Sequence, residues 1–230
     1  MLLAKKQYIA KQISNFRPDG DISEWEHVEA VPFDQLKDVG NELPAPGDFT
    51  GSGRVAWSAK EPNMIYFLVE ITDDIFQDIH PEDSNWWNDD SVEFMFDFDN
   101  TMIRDGLVQW TLGANGLDVS AAASADNTLW ALSRSFNNYI YEVAIDPTAP
   151  RGPRPGNNDR GKDFRAHDGL TIGLSFHMND CENNVREHQI GWTAGGAWDA
   201  LAYGDLIFDK AYWGVDPSGK LATTWAELKQ

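Results

Sequence analysis

Apolar and polar positions alternate strictly in many stretches of the chain, with the period of two that marks half-buried strands rather than the 3.6 of helices. The clearest run is Ser91 to Asp99. Val92, Phe94, Phe96 and Phe98 fall on one face, and Ser91, Glu93, Met95, Asp97 and Asp99 on the other. Phenylalanine at every second position marks the core side, so the spacing predicts a strand that turns its carboxylates outward. Ile65, Phe67, Val69 and Ile71 alternate with Tyr66, Leu68, Glu70 and Thr72, which predicts a strand buried on both faces. The same period runs through Val108–Trp110–Leu112, Tyr139–Tyr141–Val143–Ile145 and Leu170–Ile172–Leu174–Phe176. Shorter candidates are Val55 to Trp57, Leu117 to Ala122, Leu129 to Phe136 and Leu206 to Phe208.

No segment holds a capped helical period. Short strands separated by Gly, Pro, Asn and Asp predict an all-β chain, a two-sheet antiparallel β-sandwich of jelly-roll type. We expect one domain over residues 1–230, with a core at about 17–209 and a C-terminal extension at 210–230 that could add an edge strand through Leu221, Thr223 and Trp225. Two stretches read as loops. Leu43 to Gly53 holds Pro44, Pro46, Gly47, Gly51 and Gly53. Pro147 to Gly169 carries a local basic island of Arg151, Arg154 and Arg160. A connection of that length is either functional or a tolerated surface insertion.

Composition narrows the function. A hydrophobic share of 42% excludes a disordered chain. Lys plus Arg number 18 against 37 Asp plus Glu, a net charge of −19, which repels phosphate backbones and anionic lipid. The expected partner is therefore neither nucleic acid nor a membrane; a neutral sugar, as a mono-, oligo- or polysaccharide, or a cation is the easier partner. Cys181 is the single cysteine, so neither an intramolecular disulfide nor a cysteine-rich zinc site can form. His27, His80, His167, His177 and His188 show no zinc spacing. Lys5 and Lys6 precede no long apolar stretch, so no signal peptide is visible, and no run is long enough to span a bilayer. The lone cysteine leaves the compartment open, since large secreted β domains often lack disulfides: the chain is either cytoplasmic or, as we expect, extracellular, at a cell surface or periplasmic.

Ten tryptophans need a reason, in packing or in ligand contact. Trp25, Trp57, Trp110, Trp130 and Trp192 fit strand packing. Trp87 precedes Asn88-Asp89-Asp90, and Trp198 sits in Gly195-Gly196-Ala197-Trp198-Asp199, both polar surroundings suited to an exposed ring. A Trp face can cover the C–H face of a pyranose. Glu93, on the predicted outward face, can accept hydroxyl protons.

Several segments, taken in order, resemble carbohydrate-binding module family 9. They are Asp19-Gly20-Asp21-Ile22-Ser23-Glu24-Trp25, Val55-Ala56-Trp57, Ile65 to Asp74, Trp87-Asn88-Asp89-Asp90-Ser91-Val92-Glu93-Phe94 and Tyr141 to Ile145. Ile172 to Asp180, Gly191-Trp192 and Tyr203-Gly204-Asp205-Leu206 complete the series. The resemblance implies non-catalytic sugar binding between two facing rings, Trp87 and Trp198, with polar contacts from Glu93 and Asp199. It also marks two departures. Thr111 stands where sugar-gripping members carry arginine, with Gln109 on the same face as a weaker donor, and Gly195 and Gly196 replace an expected asparagine. Calcium is the expected ion. Hard cations take oxygen ligands, Asp73, Asp74, Asp89 and Asp90 are the candidates, and the resemblance includes proteins with structural calcium.

Three other readings compete. A glycosidase needs two carboxylates, but 37 acidic residues make some pair inevitable, and no nucleophile or phosphate motif is present. The expected relation to an enzyme is that of a module within a larger one. A second is a haem-binding electron-transfer subunit: the resemblance extends to relatives on the same sandwich that hold haem through methionine and lysine, and Met95 and Met178 are the candidate methionines. A structural or adhesive domain with a degenerate sugar site is the third, favoured by Thr111.

Overall fold

The computed structural model describes residues 5–14, 16–60, 62–79, 88–113, 116–117, 123–149 and 161–213. Among these, thirteen strands form one continuous hydrogen-bonded sheet that folds over on itself. The strands are β1 (Gln7–Gln12), β2 (Val31–Pro32), β3 (Gln35–Leu36), β4 (Phe49–Trp57), β5 (Ile65–Asp73), β6 (Ser91–Asp97) and β7 (Val108–Gly113). They continue as β8 (Gly116–Leu117), β9 (Thr128–Ser135), β10 (Asn138–Ile145), β11 (Thr171–Glu182), β12 (Val185–Gly191) and β13 (Gly204–Tyr212). The spatial order is β8-β7-β6-β11-β13-β1-β4-β5-β10-β9, with β12 beside the far end of β11. We call β8-β7-β6-β11-β13 the front layer and β4-β5-β10-β9 the back layer.

The layers face each other across aromatic side chains supplied by the period-two runs. The Phe67 ring of β5 lies 4.3 Å from that of Phe94 and 6.0 Å from that of Phe176 on the front layer. Phe94, Phe96, Trp110, Phe67, Phe176 and Leu174 are sealed from solvent in this core. The tryptophans expected to be structural are so placed: Trp25, Trp57, Trp110 and Trp192 are buried, and Trp130 packs partly buried against the core.

Three features depart from the pattern reading. First, the sandwich is not purely antiparallel. β1, which periodicity did not mark, runs parallel to both β13 and β4 and joins the two layers. Second, Gly51 and Gly53 lie in β4 rather than in a loop. Core side chains occupy the space above them: a Cβ on Gly53 would sit 2.1 Å from the ring of Phe176, and one on Gly51 2.5 Å from the sulfur of Met178. Glycine here admits a neighbour, not a turn. Third, the face of β6 expected to be outward is covered. Glu93, Met95 and Asp97 are all buried, and Met95 packs with Leu107, Ala200 and Tyr203 under the loop that precedes β13.

The opening Asp19-to-Trp25 segment closes the outer face of the back layer. Glu142, fully buried on β10, accepts from the Gly20 and Asp19 amides at 2.6 and 3.1 Å and from Trp25 Nε1 at 3.2 Å. The basic island at Arg151, Arg154 and Arg160, the segment 118–122 and the tail from 214 lie outside the described residues. Phe164, beyond that island, tucks against Phe98 and Phe208.

Candidate functional site

Antiparallel pairing puts directly opposed residues on the same face. β11 opposes β6 with His177 across from Glu93 and Asn179 across from Ser91. β6 opposes β7 with Glu93 across from Thr111 and Met95 across from Gln109. β12 brings Gln189 opposite Asn179. One side of the front layer therefore gathers a polar patch from four strands.

Over this patch lies a cavity of about 310 Å³. Its walls are Glu93 and Gln109 from the sheet, Arg186 and Gln189 from β12, Asp38 from the segment after β3, and Ala197 and Trp198 from the covering loop. The size is at the lower end of small-molecule sites, roughly 300–1,000 Å³. Trp198 is 42% exposed, unlike the core tryptophans. Its loop is pinned by Tyr203 Oη, which donates to the Ala197 carbonyl at 2.6 Å. Gly195 takes φ +82°, a conformation that favours glycine, and a Cβ on Gly196 would meet the Asp38 carboxylate at 2.6 Å. Glycine thus suits the left-handed backbone at 195, and a side chain at 196 would displace the Asp38 carboxylate.

Asn179, fully buried, organises the polar wall. Its Nδ2 donates to Ser91 Oγ at 2.8 Å and to Glu93 Oε1 at 2.6 Å. Its Oδ1 accepts from Arg186 Nη1 at 3.1 Å and from Gln189 Nε2 at 2.9 Å. Arginine can only donate, so the amide orientation is fixed and its hydrogen-bonding capacity is fully used. Glu93 Oε2 accepts from Gln109 Nε2 at 2.6 Å and lies 3.3 Å from His177 Nε2. Burial acts to raise the Glu93 carboxyl, but the His177 ring and the Asn179 and Gln109 amides outweigh it and hold the group at about 2. Burial keeps His177 below its ordinary range, so at neutral pH the pair is a carboxylate beside a neutral imidazole. Lys37 Nζ, buried nearby, donates to Ser175 Oγ and the Thr193 carbonyl, and burial lowers it to about 8.

The expected site residues thus divide. Glu93, Gln109 and Trp198 meet at one cavity, with Glu93 buried rather than outward. Thr111 pairs with Glu93 but is sealed beneath it, its Oγ1 without a hydrogen-bond partner among the described residues. Asp199 is exposed and caps the 3-10 turn Ala200–Ala202, accepting from the Leu201 amide at 3.2 Å. Trp87 lies outside the described residues. Asn179, Arg186, Gln189 and Asp38 were not foreseen. The one cue was Asn183-Asn184, whose φ values of 52° and 66° build the tight β11–β12 hairpin.

The aspartates regroup as well. Asp73, Asp90 and Asp180 come from three distant segments, and each offers a carboxylate oxygen within 4.8 Å of the others. Asp74 instead joins Asp48 and Glu182, while Asp48 also meets Asp180 and His188. Asp89 belongs to none of these three groupings among the described residues; its Oδ1 accepts from the Ile79 amide at 3.0 Å. Burial, then mutual repulsion, raises Asp73 to about 7 and Asp90 to about 9, and burial raises Asp180 to about 6. Asp73 Oδ2 is buried with no hydrogen-bond partner among the described residues. Three crowded carboxylates with one orphaned oxygen suit an oxygen-liganded divalent ion.

Met95 and Met178 cannot share a haem. Both are fully buried, and they lie on opposite faces of the front layer, Met178 in the interlayer core and Met95 under the covering loop.

The family described as "Carbohydrate family 9 binding domain-like" matches residues 19–210. No curated protein matches the chain. Two solved structures share its fold, both of a carbohydrate binding module family 9 from Caldicellulosiruptor kristjanssonii. The one in complex with glucose has a TM-score of 0.66 and 16% identity, covering 92% of this chain and 100% of that chain. The one in complex with cellotriose has a TM-score of 0.66 and 17% identity over the same shares.

Proposed function

The chain belongs to the carbohydrate family 9 binding domain-like family, and from that premise we propose that it binds a neutral sugar, without transforming it, in the cavity between Trp198 and Glu93. The observation that carries the reading is an exposed indole beside a buried, ionised carboxylate, with amide and guanidinium groups in the same wall. A pyranose offers an apolar face to the ring and hydroxyls to the polar wall, and each hydroxyl both donates and accepts. Trp87, by the family resemblance, supplies the second ring. In this reading Asp73, Asp90 and Asp180 hold a structural calcium, which would bind β5, β11 and the entry to β6 together. The setting in this reading is extracellular, at a cell surface or periplasmic, alone or as a module of a larger enzyme.

Intrinsic tryptophan fluorescence titrated with glucose, cellobiose, xylose and cellotriose tests the proposal. A saturable change in emission with at least one sugar, at dissociation constants in the micromolar to millimolar range, is expected. Flat titrations across the panel overturn it.

A further inference from the structure

We propose that the outer edge of β9 is a self-association surface, where a second copy of this chain adds its own β9 antiparallel and extends the back layer across a two-fold axis at Leu132. β9 ends the back layer and pairs only with β10 among the described residues. Beyond Thr128↔Ile145 the same register sets Asn127 against Asp146, and the Asn127 carbonyl accepts from the Asp146 amide at 2.8 Å. Bonded and non-bonded pairs alternate along an antiparallel ladder, so Leu129, Ala131, Ser133 and Ser135 spend their backbone groups on β10. The amides and carbonyls of Trp130, Leu132 and Arg134 therefore point away from β10, and none of them is hydrogen-bonded among the described residues. The Thr128 amide, by contrast, is already held by the Ser124 carbonyl at 3.0 Å.

Edge strands are ordinarily shielded by shortness, proline, bulges or charge. β9 has eight residues in unbroken register with β10, no proline and a single charge, Arg134. In a chain with 37 acidic residues, the stretch from Asn127 to Tyr141 carries none. Apolar side chains stand open along it: Leu129 is 58% exposed, and Phe136, at the tip of the β9–β10 hairpin, 92%. Phe136 also takes φ 57°, a backbone conformation that a bulky side chain adopts only at a cost.

The spacing of the open groups selects the occupant. They sit at Leu132 and two residues to either side of it, so a copy turned about a two-fold axis there sets Leu132 against Leu132 and Trp130 against Arg134. Trp130, Leu132 and Arg134 are then bonded on both copies. A slip of two residues sets Arg134 against Thr128, whose amide is taken, or Trp130 against Phe136, which lies in the turn. The two-fold register also places the one charge of each β9 opposite an indole rather than opposite its like. Two forces limit the affinity. Bodies of net charge −19 repel one another, over a range that salt shortens to roughly 10 Å at 0.1 M. One ladder of eight residues, about 27 Å long, buries less than the roughly 1,200 Å² of a standard interface. Association through β9 is therefore weak, and salt strengthens it.

Analytical ultracentrifugation of the whole chain, from about 10 μM to 1 mM in roughly 0.02 M and 0.5 M salt, tests this. Monomer should pass to dimer as concentration rises, with a dissociation constant at least about fivefold lower in the higher salt. Leu132→Lys and Leu132→Glu, each checked by a thermal melt, should stay monomeric. Their equimolar mixture should dimerise again, because the axis puts residue 132 against its own counterpart. A second measurement does not depend on those variants folding. Leu129 is exposed and Cys181 buried, so a nitroxide attached through Leu129→Cys labels one site. Leu129 opposes Ser135 of the second copy, so the two labelled backbones should lie about 20 Å apart in the dimer by pulsed electron spin resonance. A wild type that stays monomeric in both salts leaves the edge to an extended peptide of another protein or to solvent, and overturns the proposal. Undiminished dimerisation in folded Leu132 variants, a mixture that stays monomeric, or a label separation shifted by about 7 Å or more overturns it too.

Discussion

Replacing Trp198 with Ala should cost affinity while leaving the protein folded. A tryptophan side chain presents up to roughly 250 Å², and Trp198 is 42% exposed. That leaves on the order of 100 Å² open, of which a ring laid on one face covers about half. Roughly 50 Å² of apolar contact at 25 cal/mol per Å² is about 1.3 kcal/mol, close to a tenfold rise in dissociation constant. The Trp198→Phe variant keeps a smaller plate and should fall between. The part of the side chain already covered, roughly 150 Å², is worth up to about 3–4 kcal/mol at the same coefficient, so the midpoint of thermal unfolding should fall by no more than about 15 °C. Calorimetric titration with the best sugar of the panel, beside a thermal melt, reads both quantities. Unchanged affinity in Trp198→Ala would refute the stacking role, and a collapse of the melt with binding intact would show the ring to be a structural prop. Trp87→Ala in the same assay should give a loss of similar size.

Two further outcomes follow from the buried charges. Calcium added to chelator-treated protein should raise stability, by about 2.7 kcal/mol at a concentration one hundred times its dissociation constant, and Asp73→Asn should abolish the effect in thermal melts; a wild-type melt indifferent to calcium refutes the site. The Glu93 carboxyl, faced by His177, Asn179, Gln109 and the buried Lys37, is held at about 2 against an ordinary 4.5. A depressed carboxyl stabilises the fold fully above its unfolded value and loses that contribution as pH falls toward 2. His177, pushed below its ordinary range by burial, adds a loss that begins as pH drops through 6.5. Urea unfolding should therefore show wild type gaining stability relative to Glu93→Gln as pH rises from 3 to 4.5, against the background of Asp73, Asp90 and Asp180, whose raised carboxyls cost stability as pH rises; identical slopes in the two proteins refute the assignment.

The strands were legible because period two is a local property of the chain, and most of the runs built on it became strands. What the period could not show is the meaning of the polar half of each run. On β6, the Glu93 and Asp97 positions read as solvent-facing, yet both are buried. Sequence equates polarity with water, whereas Glu93 is satisfied by Asn179 and Gln109 from two other strands. The same limit hid Asn179 and Arg186. β12 reads Val-Arg-Glu-His-Gln-Ile-Gly, with no apolar alternation because its side chains serve the cavity more than the core. The aspartates show it once more: Asp89 and Asp90 are neighbours in sequence, but the fold sends Asp90 to Asp73 and Asp180 and leaves Asp89 out. Glycine misled in the opposite direction, since Gly51 and Gly53 read as loop punctuation and are close-packed strand.

The charge of the whole chain and the charge of the cavity point to the same ligand by different routes. At −19 the molecule repels anions at long range, over distances that salt screens. Arg186 in the wall and Lys37, buried near it, stand against Glu93 and Asp38, so the local charges are close to balanced. A cationic ligand would be drawn by the envelope but would meet Arg186 at the wall; an anionic one would suit Arg186 but be repelled on approach. A polyol meets neither penalty, and in the proposed reading its gain would come from surface laid on Trp198 and from hydrogen bonds to groups already fixed by Asn179. Because those groups are ordered before the ligand arrives, little conformational entropy is lost on binding. That is the condition under which one exposed ring and a small polar wall suffice for a useful affinity.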